Sequence, residues 1–255
     1  MLKLAATVAI ATSLLSGTAI AQPVKPTIVL VHGAFADSSS WNGVIVNLQK
    51  DGYKTVAVAN PLRSVSNDAG LVSDVVGSIE GPVVLVGHSY GGQIISNAAN
   101  GHDNVKSLVY VAAFAPDSGE SASDLAGRFP GGTLGEALAA PVKLTDGGVD
   151  LSIDQTKFRD QFAHDVPPDA SALMAVGQRP ITEAALTDKS GEPAWKTLPS
   201  YFVYGDSDKN IPAKALGFMA ERAGSRQTVV VEGASHVVMV SHPKIVADLI
   251  EEAAK

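Results

Sequence analysis

Cysteine is missing from the entire chain. Its absence removes disulfides, thiolate metal sites, a cysteine nucleophile and lipoprotein attachment in one step. Basic residues are sparse: 19 Lys and Arg stand against 26 Asp and Glu, giving a net charge of −7, and they never gather into a block. Nucleic acid is therefore not an expected partner. There is no internal repeat and no low-complexity tract. The most continuous apolar stretch is N-terminal and short for a membrane span. Residues 1–21 carry one cation, Lys3, then a run rich in Leu, Ala, Val and Ile, then Ala19-Ile20-Ala21 before Gln22. That is the pattern of a cleavable secretory signal. It predicts a periplasmic or secreted protein whose mature chain, 22–255, keeps no membrane anchor. A chain of 255 residues with this makeup fits one domain.

What is present centres on residues 82–93, Pro-Val-Val-Leu-Val-Gly-His-Ser-Tyr-Gly-Gly-Gln. An unbroken apolar run over 83–86 reads as a strand buried on both faces of a parallel sheet. Ile94, Ile95 and Ala98 then recur at helical spacing. The switch from strand to helix falls within two or three residues, which forces Ser89 into a tight, strained turn. Gly87 and Gly91 supply the room the crossing needs. A helix starting just past Ser89 aims backbone N–H groups and a positive dipole end at the oxygen of an attacked carbonyl. A serine that merely caps a helix is the plain alternative; the strand before and the helix after favour a nucleophile.

Other strands are expected at 27–31, 55–58, 107–113, 201–204 and 228–231, with helical periodicity over 41–48, 71–79, 213–223 and from about Pro243. The alternation predicts a doubly wound, mostly parallel α/β sheet. The first strand ends in His32-Gly33-Ala34-Phe35. A backbone N–H just past that glycine would complete an oxyanion hole: Ala34, with Phe35 as the alternative, His32 holding the loop by hydrogen bonds. Three chemically matched residues each follow a separate core strand, in the order Ser89, Asp208, His236. A serine hydroxyl needs a base to take its proton, and a base histidine needs a carboxylate to fix its tautomer. His236 is the expected base and Asp208 its carboxylate, with Asp206 the rival, the loser of that pair forming a turn. His88 is expected to point away across the turn; His32, His102, His164 and His242 read as structural or surface groups.

Residues 116–198 are rich in Pro and Gly, show short helical groups at 125–129 and 158–162, and display no strand. An insertion at this place is expected to be a lid, inserted before the last two core strands. Its aromatic and sulfur side chains, with two from the core loops, are the candidates for a pocket: Phe35, Phe114, Phe129, Phe158, Phe162 and Met174, with Leu173 beside them.

Residues 30–35 with Ser39-Ser40-Trp41, the run 86–92, and Ala234-Ser235-His236-Val237 continuing to His242-Pro243 resemble the bacterial α/β-hydrolase-fold serine esterases related to the plant methyl esterase and hydroxynitrile lyase group. The resemblance covers essentially the whole mature chain, lid included. It implies an α/β-hydrolase fold and a cofactor-free, metal-free serine hydrolase acting on small-molecule carboxylic esters through Ser89, Asp208 and His236, with oxyanion N–H donors from Ala34 and Tyr90. The plant lyases carry lysine immediately after the catalytic histidine and threonine where this chain has Gly33; Val237 and Gly33 both favour ester hydrolysis. A ligand-binding protein that keeps the fold without turnover, and an acyltransferase or perhydrolase using the same three residues, are the other functions this pattern allows.

Overall fold

In the computed structural model, which describes residues 24–255, the chain alternates strand and helix as its apolar periodicity requires. The segment read as a secretory signal, 1–21, lies outside the described residues. Strand β1 (Thr27–Val31) leads through a 3-10 turn at Ser38–Trp41 to α1 (Asn42–Lys50) and β2 (Thr55–Val58). Then come α2 (Val65–Gly77), β3 (Val83–His88), α3 (Tyr90–Ala98) and β4 (Val105–Val111). After β4 the chain leaves the sheet for residues 112–199. These form α4 (Ala122–Arg128), α5 (Leu134–Ala137), α6 (Gln155–Phe162), α7 (Pro168–Gly177) and α8 (Glu183–Thr187), with the short strands β5 (Val142–Lys143), β6 (Val149–Leu151) and β7 (Ile181–Thr182). The core resumes with β8 (Ser200–Gly205), α9 (Ala213–Arg222), β9 (Gln227–Val231), α10 (Val238–Ser241) and α11 (Pro243–Ala253).

The core strands form one parallel sheet in the order β2-β1-β3-β4-β8-β9. β1 and β3 are buried at every position because helices cover both faces, whereas β2 and β9, at the two edges, are largely half-buried or exposed. Alternate residues of β4 show the two layers. The Ser107 hydroxyl donates to the Ala253 carbonyl of α11 at 2.7 Å, while the Tyr110 hydroxyl meets Ser96 of α3 at 2.8 Å on the other side. The register aligns Gly87 with Val31 on one neighbour and with Tyr110 on the other. The carboxyl ends of the strands therefore share one edge, where open α/β sheets bind their ligands.

Three details depart from the sequence reading. The fourth core strand occupies Val105–Val111 and not 107–113, because Ala112 turns to a φ of +44° and ends the ladder; the apolar run itself continues to Phe114 and so hides the stop. The segment before α1 is a 3-10 turn, capped where the Ser39 N–H donates to Asp37 Oδ1 at 2.7 Å. The lid does contain strands: β5, β6 and β7 pair antiparallel into a small sheet. At two or three residues apiece they are too short to show a period of two. Among the described residues no helix is long and apolar enough to cross a membrane.

Candidate active site

Ser89 sits between the last residue of β3 and the first of α3 with φ 54° and ψ −124°, a conformation a residue with a Cβ holds only when its surroundings impose it. Those surroundings are glycine contacts. A Cβ on Gly87 would lie 2.5 Å from the Gly91 carbonyl oxygen, so strand and helix close on each other only without one. A Cβ on Gly33 would lie 2.6 Å from Ser89 Cβ and 2.7 Å from the His88 carbonyl oxygen, which lets the 32–35 loop lie directly against the serine. Within that loop the Phe35 N–H is taken by the Arg179 carbonyl at 3.0 Å. Ala34, one residue earlier in that loop, and Tyr90, the first residue of α3, both border the cavity on which Ser89 lies. His32 anchors the loop from beneath: Nδ1 lies 2.9 Å from the Gly33 carbonyl oxygen, and Nε2 accepts the Asn60 N–H at 3.1 Å. Burial keeps this imidazole neutral, its pKa below the usual histidine value.

The turn after β8 and the turn after β9 bring Asp208 and His236 together. His236 Nδ1 lies 2.6 Å from Asp208 Oδ2, and both side chains are buried. The other carboxylate oxygen accepts the N–H groups of Asn210 at 2.7 Å and Ile211 at 3.0 Å. With Nδ1–H committed to the carboxylate, the imidazole has Nε2 free to accept a proton. His236 and Ser89 border the same cavity. Asp206, the rival acid, faces elsewhere: its Oδ1 accepts the Gly233 N–H at 2.7 Å and the Ser207 hydroxyl at 3.0 Å, clipping the two loops together.

His88 departs from its expected orientation. Its ring does not point away from the site but lies against His236, with centroids 4.8 Å apart, and its Nε2–H donates to the His236 carbonyl at 3.1 Å. Trp41 and Phe162 enclose it edge-on. Desolvation, reinforced by the neighbouring His236, pushes its pKa well below 6.5. The sign of the resulting pH dependence follows. The folded state holds His88 neutral while the unfolded chain protonates it on the acid side, so the unfolded state binds more protons and stability falls as pH drops below about 6.5. Urea denaturation at pH 7, 6 and 5 is expected to show a steeper loss for the natural chain than for His88→Gln; parallel slopes would remove His88 from the account.

Ser89 opens into a cavity of about 290 Å³ whose walls include Ala34, Phe35, Phe114, Ala122, Ala126, Leu134, Leu138, Leu186 and Ile211. Among the described residues no Asp, Glu, Lys or Arg lines it. Of the expected pocket residues, Phe35 and Phe114 border the cavity, while Phe129, Phe158, Phe162 and Met174 do not. Aromatic rings in this lid pack on one another and on the core. Phe158 packs at a tilt against Phe162, which lies against His236 at 5.1 Å, and both are fully buried. Phe129 meets Phe218, and Met174 and Leu173 border a separate cavity of about 350 Å³ on the far side of Phe35. The residues the reading passed over are the small ones. Ala122 and Ala126, one turn apart on α4, leave the space open, and the signal for their helix is the capping box of Ser121 with Asp124.

Residues 28–249 match the alpha/beta hydrolase family. A pimeloyl-[acyl-carrier protein] methyl ester esterase from Aeromonas hydrophila is 27% identical over 243 residues, covering 89% of this chain and 94% of its own length. An alpha-hydroxynitrile lyase from Arabidopsis thaliana is 24% identical over 252 residues, covering 90% of this chain and 97% of its own. The crystal structure of polyneuridine aldehyde esterase superposes with a TM-score of 0.78 at 18% identity, covering 91% of this chain and 100% of that one, a likeness of fold. The plant kinship and the parallel sheet expected from the sequence agree with these matches, and the chain belongs to the alpha/beta hydrolase family.

Proposed function

We propose that this protein is a serine esterase that cleaves small, uncharged carboxylic esters through an acyl-enzyme on Ser89. The 2.6 Å contact between His236 and Asp208, on the cavity that a strained Ser89 borders, is the observation that carries the reading. Nε2 of His236 takes the Ser89 proton as the oxygen attacks the ester carbonyl. The N–H groups of Ala34 and Tyr90 bind the oxyanion, and the imidazolium returns its proton to the departing alkoxide. Water then enters by the same path and releases the acid. Relatives named as esterases support hydrolysis, as does the apolar Val237 immediately after His236. On the same reading the protein is exported after loss of residues 1–21.

The cavity's chemistry narrows the substrate. A carboxylate or ammonium on the bound group would be desolvated there with no charged side chain to meet it. p-Nitrophenyl acetate and butyrate are expected to be hydrolysed, and the matching hemisuccinate ester at least about tenfold less well by kcat/KM. Filling the lid wall with Ala126→Phe is expected to shift the preference toward acetate by about tenfold. Absence of nitrophenol release from every ester tried would favour a ligand-binding protein.

A further inference from the structure

Asp68 is a fully buried carboxylate, one turn into α2, and the proton relay has no use for it. Carboxylates are almost never buried this completely unless they are paired and hydrogen-bonded. Its partners converge from three segments. The Tyr90 hydroxyl donates to Oδ2 at 3.0 Å, the Arg63 N–H lies 3.2 and 3.1 Å from the two oxygens, and Asn67 Nδ2 donates to Oδ1 at 3.1 Å. Burial beside this anion pushes the Tyr90 phenol far above its usual pKa, so the ring stays a donor at every working pH.

Tyr90 opens α3 beside Ser89 and borders the cavity, its N–H is the donor the esterase reading assigns to that side of the oxyanion hole, and its ring is fully buried. Fixing the far end of that ring fixes the first peptide of α3. The same network reaches the opposite half of the hole. Arg63 ion-pairs with Asp150 of β6 at 2.7 Å and donates to the Pro180 carbonyl at 2.7 Å. Thr182 of β7 returns two bonds, its N–H to the Leu62 carbonyl at 3.1 Å and its hydroxyl to the Arg63 carbonyl at 2.6 Å. One residue before Pro180, the Arg179 carbonyl takes the Phe35 N–H. The loop bearing Ala34 and the helix bearing Tyr90 are thus tied to a single strap, residues 179–182, with Asp68 at the junction.

We propose that Asp68 is a positioning residue: by gripping the Tyr90 hydroxyl and the Arg63 backbone it sets the two oxyanion donors, Tyr90 N–H and Ala34 N–H, at a fixed separation. The proposal rests on the serine-esterase reading. An oxyanion donor matters in the transition state and little in the ground state, so misaiming one lowers kcat and spares KM. It must also weaken any ligand that carries the same oxyanion.

Asp68→Asn keeps the shape and loses the charge; Tyr90→Phe removes only the hydroxyl and keeps the backbone N–H. Each full-length variant is to be assayed on p-nitrophenyl acetate and against an aryl trifluoromethyl ketone, whose Ser89 hemiketal presents the oxyanion. Both variants are expected to lose about tenfold or more in kcat with KM within about twofold, and the ketone Ki is expected to rise by the same factor as kcat falls. A purely structural role would lower the amount of folded protein titrated by a fluorophosphonate and leave kcat per titrated site and Ki unchanged; that result overturns the proposal. If Asp68→Asn does not fold, Tyr90→Phe decides by the same two numbers. A natural chain that neither turns over esters nor reacts with the fluorophosphonate sinks the esterase reading itself, whereas an active natural chain with unaltered variants sinks only the role of Asp68.

Discussion

Ser89→Ala is expected to lower kcat on p-nitrophenyl esters by about four orders of magnitude or more, with KM nearly unchanged. The change deletes one oxygen from a position that keeps its Cβ, so the strained backbone at φ 54° is neither relieved nor worsened and the thermal midpoint stays within a few degrees. His236→Ala is expected to lose as much activity, because a serine hydroxyl without its base is a poor nucleophile. Its stability should differ, however: removing the imidazole leaves the buried Asp208 oxygen that faced it without a partner, at a cost of about 1–3 kcal/mol. The control is His242. Its side chain is about a third exposed, its Nδ1 lies 2.9 Å from the Ser241 hydroxyl and 3.8 Å from Asp165 Oδ2, and the Asp208 carboxylate is taken by His236. His242→Ala is expected to keep most of the activity, and a dead His242→Ala beside an active His236→Ala would mean that the base has been misassigned.

The parts of the site that were legible in the sequence are those whose chemistry and backbone geometry coincide. A glycine-flanked serine between a buried strand and a helix admits few conformations, and the chain folds it as that pattern requires. Asp208 and His236 lie in loops whose neighbours, Gly205 and Ala234, approach so closely that a Cβ on the glycine would strike the Ala234 carbonyl. Two loops packed that tightly have little freedom in where they carry their side chains. The cavity wall was not legible, because an apolar residue in a lid can face the substrate or another lid residue, and spacing alone does not say which. Large rings find enough contact among themselves to be buried away from the cavity, as Phe158 and Phe162 are. What keeps a cavity open is small side chains, which carry almost no signal in a sequence already rich in alanine. Asp68 was silent for a related reason. A single aspartate in the first turn of a helix reads as an ordinary favourable charge at the dipole's positive end, and nothing in the local sequence announces that Tyr90, 22 positions on, will reach it.

Asp208→Asn is expected to lower kcat by about four orders of magnitude, nearly as much as loss of the serine, while Asp206→Asn changes it by less than about threefold. The hydrogen-bond pattern dictates the asymmetry. One oxygen of Asp208 accepts two backbone N–H groups, from Asn210 and Ile211. An asparagine at 208 must keep its carbonyl oxygen there, since the amide NH2 would set donor against two donors. The NH2 is then what faces Nδ1 of His236 across the 2.6 Å contact. An amide donor turns Nδ1 into the acceptor and moves the imidazole proton to Nε2. A histidine protonated at Nε2 has no lone pair left for the Ser89 proton, so the base is lost although every atom stays in place. Asp206→Asn meets no such conflict, because its carbonyl oxygen can still accept the Gly233 N–H and the Ser207 hydroxyl. Steady-state rates for the two variants at neutral pH decide the matter, and equal losses, or a larger loss at 206, would mean that the carboxylate at 208 does not set the tautomer.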